Sequence, residues 1–300
     1  MAYIHGGNSE TKCLITNIRL KMNLQFLKLL YSLEEDPISN YAVCCGYEKN
    51  EWRHKQFSEY LFEKHLLDFA LKNSEYRELN FADALSKIKK AAKLVYQKYH
   101  TRRGEFGELI LHSLIKECFN SIPAISKIHF KDGPNETVKG FDAVHITELN
   151  GNLELWLGEV KFYQDIKSAI NDVIPEIITH LKSDYLRNEF LAITNKIDDS
   201  LPHSDRLKKL INPHNSLDEI FDAISIPVLL TYNSPITYKT TKYTDEYIEE
   251  IKPELEKNFE YFKSKLGDID IKIRVFLLPM KDKLELTTSL DEKLKVWQNL

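Results

Sequence analysis

Residues 153–162 read Leu-Glu-Leu-Trp-Leu-Gly-Glu-Val-Lys-Phe. The run has the length and apolar bias of a strand, in which successive side chains point to opposite faces. Leu155, Leu157, Glu159 and Lys161 therefore share one face, and Trp156 belongs to the core on the other. Two apolar residues followed by two opposite charges on a single face is an unusual order. The leucines belong in the core, and the charged pair is expected where that face opens to solvent. An isolated buried charge is costly, so Glu159 and Lys161 must be paired, metal-bound or solvated.

Upstream stands Lys139-Gly-Phe-Asp142-Ala-Val-His145, which reads as the start of another strand, Phe141 to Thr147. The two strands are joined by Glu148-Leu-Asn-Gly-Asn152, and Asn150-Gly151 is a strong hairpin marker, so they should be antiparallel neighbours. Folding back places the start of the first strand, with Asp142, beside the end of the second, with Glu159. Two converging carboxylates make a hard-oxygen site suited to Mg²⁺ or Mn²⁺. Such an ion lowers the pKa of a bound water and polarises a phosphoryl oxygen. Lys161 can position that water or stabilise developing negative charge.

Further out, Gly104 to Asn120 has helical spacing and opens with Gly104-Glu105-Phe106-Gly107-Glu108. Either Glu105 or Glu108 can lean over the metal site, with Glu108 the stronger candidate. Acidic residues at a helix N-terminus also arise simply from its dipole. Ser126 to Phe130 reads as a short strand and Lys131-Asp-Gly-Pro134 as a turn. Ile166 to Leu181 carries an apolar stripe, with Pro175 predicting a kink or a new helix start. His145 should face away from Asp142, and His112, one turn beyond Glu108, reads as structural. Tyr163, Gln164, Lys167 and Asn171 are weaker candidates for substrate contact.

In the N-terminal third, Tyr41 to Cys45 reads as a strand, and Phe57 to Leu71 and Phe81 to Tyr99 as helices. The second helix has a basic face, Lys87, Lys89, Lys90, Lys93 and Lys98, continuing to Arg102 and Arg103; such a run is more often a solvated face than a phosphate-binding one. Pro227 to Tyr232 and Ile271 to Leu278 read as strands flanking a long charged helix, Thr244 to Leu266, a unit that usually joins parallel neighbours. The expected organisation is an N-terminal mixed α/β elaboration over residues 1–100 and an α/β domain over residues 101–300.

The net charge of −4 and pI of about 6.2 exclude a broadly basic nucleic-acid binder, so grip on DNA must come from a local groove or a partner. Cys13, Cys44, Cys45 and Cys118 lack zinc spacing and disulfide-scaffold density, and the histidines form no His-x-x-x-His pair. The opening Met1-Ala-Tyr-Ile-His-Gly-Gly7 lacks a secretory pattern, and no apolar run reaches membrane-spanning length, so a cytoplasmic protein without membrane contact is expected. No Gly-x-x-x-x-Gly-Lys-Ser/Thr loop is present, which leaves any ATP-driven step to another protein.

Gly-Glu-Phe-Gly-Glu108, Gly-Phe-Asp142 and Gly-Glu159-Val-Lys161 in this order resemble the PD-(D/E)xK nuclease superfamily. That resemblance implies a restriction-endonuclease-like αβββαβ core, with Asp142, Glu159 and Lys161 as catalytic trio and Glu108 as a further acidic, metal-holding residue. No proline precedes Asp142, a departure from the superfamily's name motif. The longer stretches Arg102-Arg-Gly-Glu-Phe-Gly-Glu-Leu, Gly-Phe-Asp-Ala-Val-His145 and Leu-Trp-Leu-Gly-Glu-Val-Lys-Phe-Tyr163 are similar to HamA, the nuclease subunits of Hachiman anti-phage systems. This closer resemblance implies a DNA-degrading effector held in check by a HamB-like helicase partner. A catalytically silent DNA- or partner-binding module and a conventional restriction endonuclease are the competing readings.

Overall fold

The computed structural model describes residues 23–95, 104–126, 140–149 and 151–300. Chain order begins with β1 (Lys28–Leu33), β2 (Ile38–Cys44), the short pair β3 (Tyr47–Glu48) and β4 (Glu51–Trp52), then α1 (His54–Ala70), α2 (Asn73–Arg77) and α3 (Ala84–Val95). The middle comprises α4 (Gly104–Phe119), β5 (Ile122–Ser126), β6 (Ala143–Leu149), β7 (Asn152–Phe162), α5 (Ile166–His180) and α6 (Ser183–Lys196). The last part adds α7 (Ser204–Leu210), α8 (Leu217–Phe221), β8 (Ile224–Asn233), α9 (Pro235–Lys239), α10 (Asp245–Leu266), β9 (Lys272–Met280) and α11 (Lys283–Gln298).

Seven strands form one mixed sheet in the order β1-β2-β9-β8-β7-β6-β5. The inner four, β2, β9, β8 and β7, run parallel to their neighbours, and both flanks are antiparallel. β8 and β9 are the most thoroughly buried strands, as expected of parallel strands covered on both faces. On one face Leu155, Leu157, Val228 and Val275 pack against Ile170, Ile193, Leu207 and Leu255 of α5, α6, α7 and α10. On the other, Trp156, Leu229 and Phe276 pack against Phe57, Ala92, Leu109 and Leu290 of α1, α3, α4 and α11. The alternation along β7 thus separates two cores.

β6 and β7 form the expected antiparallel pair, with Ala143 opposite Gly158 and Leu149 opposite Asn152. Gly151 at the turn has φ +82°, a conformation glycine adopts freely. Asn150, the other half of the hairpin marker, lies outside the described residues, as do Cys13, residues 96–103 and the turn at residues 131–134.

Several boundaries differ from the sequence expectation. The strand expected over 126–130 runs instead from Ile122 to Ser126, with residues 127–130 outside the described ones. Pro123 disguised it, but β5 is an edge strand, where the missing donor is tolerated and the register shifts between Pro123 and Ile125. α5 passes through Pro175 as one helix, because Ile170, Val173, Ile174 and Ile177 are buried on both sides of it. α3 begins at Ala84 and buries Ala91, Ala92 and Val95, leaving Leu85 and Phe81 exposed. Its Lys87 pairs with Asp83 and its Lys90 with Glu75, the behaviour of a solvated face. No helix among the described residues is long and apolar enough to cross a membrane.

Candidate active site

The site is laid out by β6, β7, α4 and α5. β7 carries Glu159 and Lys161 towards the carboxyl end of the parallel strands, the side of an open α/β sheet where ligands bind. Its ladder to β8 lapses opposite Pro227, which has no N–H to donate, and resumes with Glu159 opposite Val228 and Lys161 opposite Leu230. Asp142 lies one residue before β6. Its amide donates to the Gly158 carbonyl at 2.8 Å, and its Oδ2 accepts from the Val160 amide at 2.8 Å. The β6–β7 register continues to put Asp142 opposite Glu159, on the same face.

Helix α4 lies on the opposite face and approaches β7 closely. A Cβ at Gly107 would stand 2.5 Å from Val160 Cγ1 and 3.0 Å from Phe162 Cβ. One at Gly158 would stand 2.7 Å from Leu111 Cδ2. The glycine of Gly-Glu-Phe-Gly-Glu108 is therefore a packing requirement, and it brings α4 down beside the strand segment holding Glu159 and Lys161. Glu108 is buried on that helix, whereas Glu105 is half-buried.

The charged pair does not sit in open solvent as the sequence suggested. Glu159 is 1% exposed, because α5 crosses this face directly above it. His180 of α5 is hydrogen-bonded through Nδ1 to Glu159 Oε1, and Lys161 is ion-paired with Glu176 of the same helix. The His180 ring is fixed by stacking on Tyr185 at 4.3 Å and by an edge contact to Phe141 at 5.0 Å. Glu176 and His180 are four apart, hence on one helical face. An acid and a histidine at that spacing, at the end of the helix following a Glu-x-Lys strand, were a readable signal.

The remaining expectations divide by face. Trp156 is buried opposite Glu159, and His145 points toward α4, with Nε2 3.2 Å from His112 Nδ1. Tyr163 donates to Asp172 Oδ2 at 2.9 Å and Asn171 accepts from Tyr261 at 3.0 Å, so both are engaged within the fold. Lys283, outside the sequence expectation, sits 4.7 Å over the Phe162 ring, where burial pulls its pKa below the usual lysine value.

The strand register sets Asp142, Glu159 and Lys161 on one face, and Glu108 stands on the helix packed against the other. Its donors are oxygens, and its one histidine is committed to a carboxylate. No curated protein matches the chain. The HamA family model matches residues 22–294, nearly the whole length. The chain accordingly belongs to the HamA family of Hachiman anti-phage defence.

Proposed function

We propose that this protein is a divalent-metal-dependent deoxyribonuclease with a PD-(D/E)xK-type core, working as a defence effector governed by a helicase partner. The observation that carries the reading is the register: Asp142 stands opposite Glu159, with Lys161 two residues further on the same face. The order α4, β5, β6, β7, α5, β8, with α6, α7 and α8 inserted before β8, supports an αβββαβ arrangement of the kind such a core requires.

An all-oxygen set fits a hard cation. Asp142, Glu159 and Glu108 would hold Mg²⁺ or Mn²⁺, which when bound supplies an acidified water and a counter-charge for the phosphorane. Asp142 is oriented for this by the Val160 amide. His180 fixes the rotamer of Glu159, and Glu176 holds the Lys161 ammonium beside it. From there Lys161 can orient the attacking water or neutralise charge on the phosphate as the P–O bond breaks. The burial of Glu159 favours a closed resting site, which suits an effector whose access to DNA depends on a partner. It also favours the competing reading, a silent module that uses the same charges only as internal ties.

Plasmid cleavage by the purified chain, with and without a helicase partner, in Mg²⁺ and in EDTA, separates the two. Lys161→Ala and Glu159→Ala should abolish cutting while circular dichroism stays unchanged. Cutting at the parental rate by both variants would overturn the assignment, and no cutting by the parent under any condition would favour the silent module.

A further inference from the structure

A second cluster lies where α1 packs on α4. His65 and Asp68 are one turn apart on α1, and His112 faces them from α4. One ring nitrogen of each histidine and one Asp68 oxygen lie within 4.8 Å of one another, and all three residues are buried. His65 Nδ1 is shielded from solvent and without a hydrogen-bond partner among the described residues, and Asp68 Oδ1 and His112 Nε2, equally shielded, have only each other at 3.3 Å. Buried polar atoms are nearly always well satisfied, so a bare His65 nitrogen beside a poorly aligned Asp68–His112 contact calls for an explanation.

The surroundings set the tautomers. His65 Nε2 is 2.8 Å from Glu117 Oε1, and Glu117 is itself held by the Tyr60 hydroxyl and the Gln25 amide. With Nε2–H donating to that carboxylate, a neutral His65 ring keeps Nδ1 as a lone pair. On the other side, His112 Nδ1 is 3.2 Å from His145 Nε2, and His145 Nδ1 is 2.9 Å from Ser121 Oγ. With each Nδ1–H donating along this chain, His112 Nε2 is also bare.

The Asp68–His112 spacing fits a shared metal ion. Asp68 Oδ1 and His112 Nε2 are 3.3 Å apart without hydrogen-bond alignment. Two ligands about 2.0–2.1 Å from one ion at the tetrahedral angle stand about 3.3 Å apart. Two imidazoles and one carboxylate suit zinc-class cations, and histidines backed by a carboxylate or a second polar group are the usual ligand support. Lys116, paired with Asp68 Oδ2, opposes the added charge but is turned partly to solvent. A cleft of about 900 Å³ is lined in part by Asp68, Lys116 and Ser121, on the edge of the cluster.

We propose that His65, Asp68 and His112 bind one zinc-class dication that staples α1 to α4, one turn along from Glu108. This site differs in ligands and metal class from the proposed nuclease centre and stands independently of it.

The test is titration of ZnCl₂ into full-length protein stripped with chelator and dialysed. One equivalent should bind, with a rise in melting temperature of about 5 °C at saturation. Co²⁺ in place of zinc should give the intense visible bands of a tetrahedral centre, a readout that needs no mutation. His65→Gln, Asp68→Asn and His112→Gln should each weaken zinc binding about 100-fold or more, and Glu117→Gln about tenfold through loss of the support behind His65. Glu159→Gln should keep the one equivalent, which separates this site from the nuclease centre. Weak octahedral Co²⁺ bands with no saturable zinc uptake, or undiminished binding by a folded His112→Gln variant, would overturn the proposal.

Discussion

Replacing Gly107 by alanine puts two effects in opposition, and the structure decides the sign. Alanine in a helix interior is favoured over glycine by about 1 kcal/mol. Against this, the new methyl would meet Val160 Cγ1 at 2.5 Å and Phe162 Cβ at 3.0 Å. Neither atom can swing away: the valine is stiff at χ1 and the phenylalanine Cβ is fixed by its backbone. Relief must come from lifting α4 off β7, and overpacking of this kind costs about 1–3 kcal/mol, here at the upper end. The net expectation is a loss of about 2 kcal/mol, or a melting temperature lower by about 4–8 °C. Gly104→Ala is the control: it opens the same helix and its Cβ would have nothing within 4 Å, so stability should hold or rise slightly. Gly158→Ala falls between, since its closest neighbour is the mobile tip of Leu111. Urea unfolding of the three variants measures the order. A Gly107→Ala protein as stable as the parent would refute the idea that glycine is there to admit the strand. Because α4 also carries Glu108, the same variant should cut DNA more slowly if the nuclease reading holds.

His180→Ala removes a charge-assisted bond to a carboxylate that is almost wholly buried, and should cost about 1–3 kcal/mol in urea unfolding; an unchanged midpoint would show that Glu159 does not depend on it. Glu176→Gln touches a more exposed pair and should change stability by less than about 1 kcal/mol in the same assay. Burial pushes the Cys44 thiol up to about 12 and Cys45 well above its usual range. Native protein at pH 8 should therefore resist a thiol-reactive dye at Cys44 and Cys45, and the denatured chain should label both quickly. Because the folded value for Cys44 lies above the unfolded one, its contribution to stability is complete below about pH 8.5 and is lost as pH climbs towards 12. A Cys44→Ala variant should show a flatter alkaline stability profile than the parent.

The β6–β7 hairpin was legible because a period-2 pattern, an Asn-Gly turn and a pair of charges all pointed the same way. From it followed the placement of Asp142 opposite Glu159, a matter of counting residues around a turn. The burial of that pair was not legible, because it depends on where α5 crosses, and strand alternation says which face a residue takes but not what covers it. β1 was also missed: Lys28-Leu-Leu-Tyr-Ser-Leu33 is an edge strand with little alternation. α6 and α11 escaped for a similar reason, since each hides a modest apolar stripe among charges. The His65–Asp68–His112 cluster lay beyond any spacing rule. Two of its members share a helical turn, but the third comes from a helix far along the chain, and only tertiary packing unites them.

The place of β9 between β2 and β8 bears on how the molecule is made. Ile38 pairs with Ile273 and Ala42 with Leu277, so β2 meets its partner only after a long stretch of further chain has been made. At 5–20 residues per second, the roughly 230 intervening residues take about 10–50 s. During that interval the β1–β2 ribbon and the β5–β8 block cannot join into one sheet, and each shows an unpaired edge where β9 will insert. Contacts of such long range make for slow assembly. A chain cut short before Lys272 would remain in two halves, so closure of the sheet waits on the last of its described strands to be made.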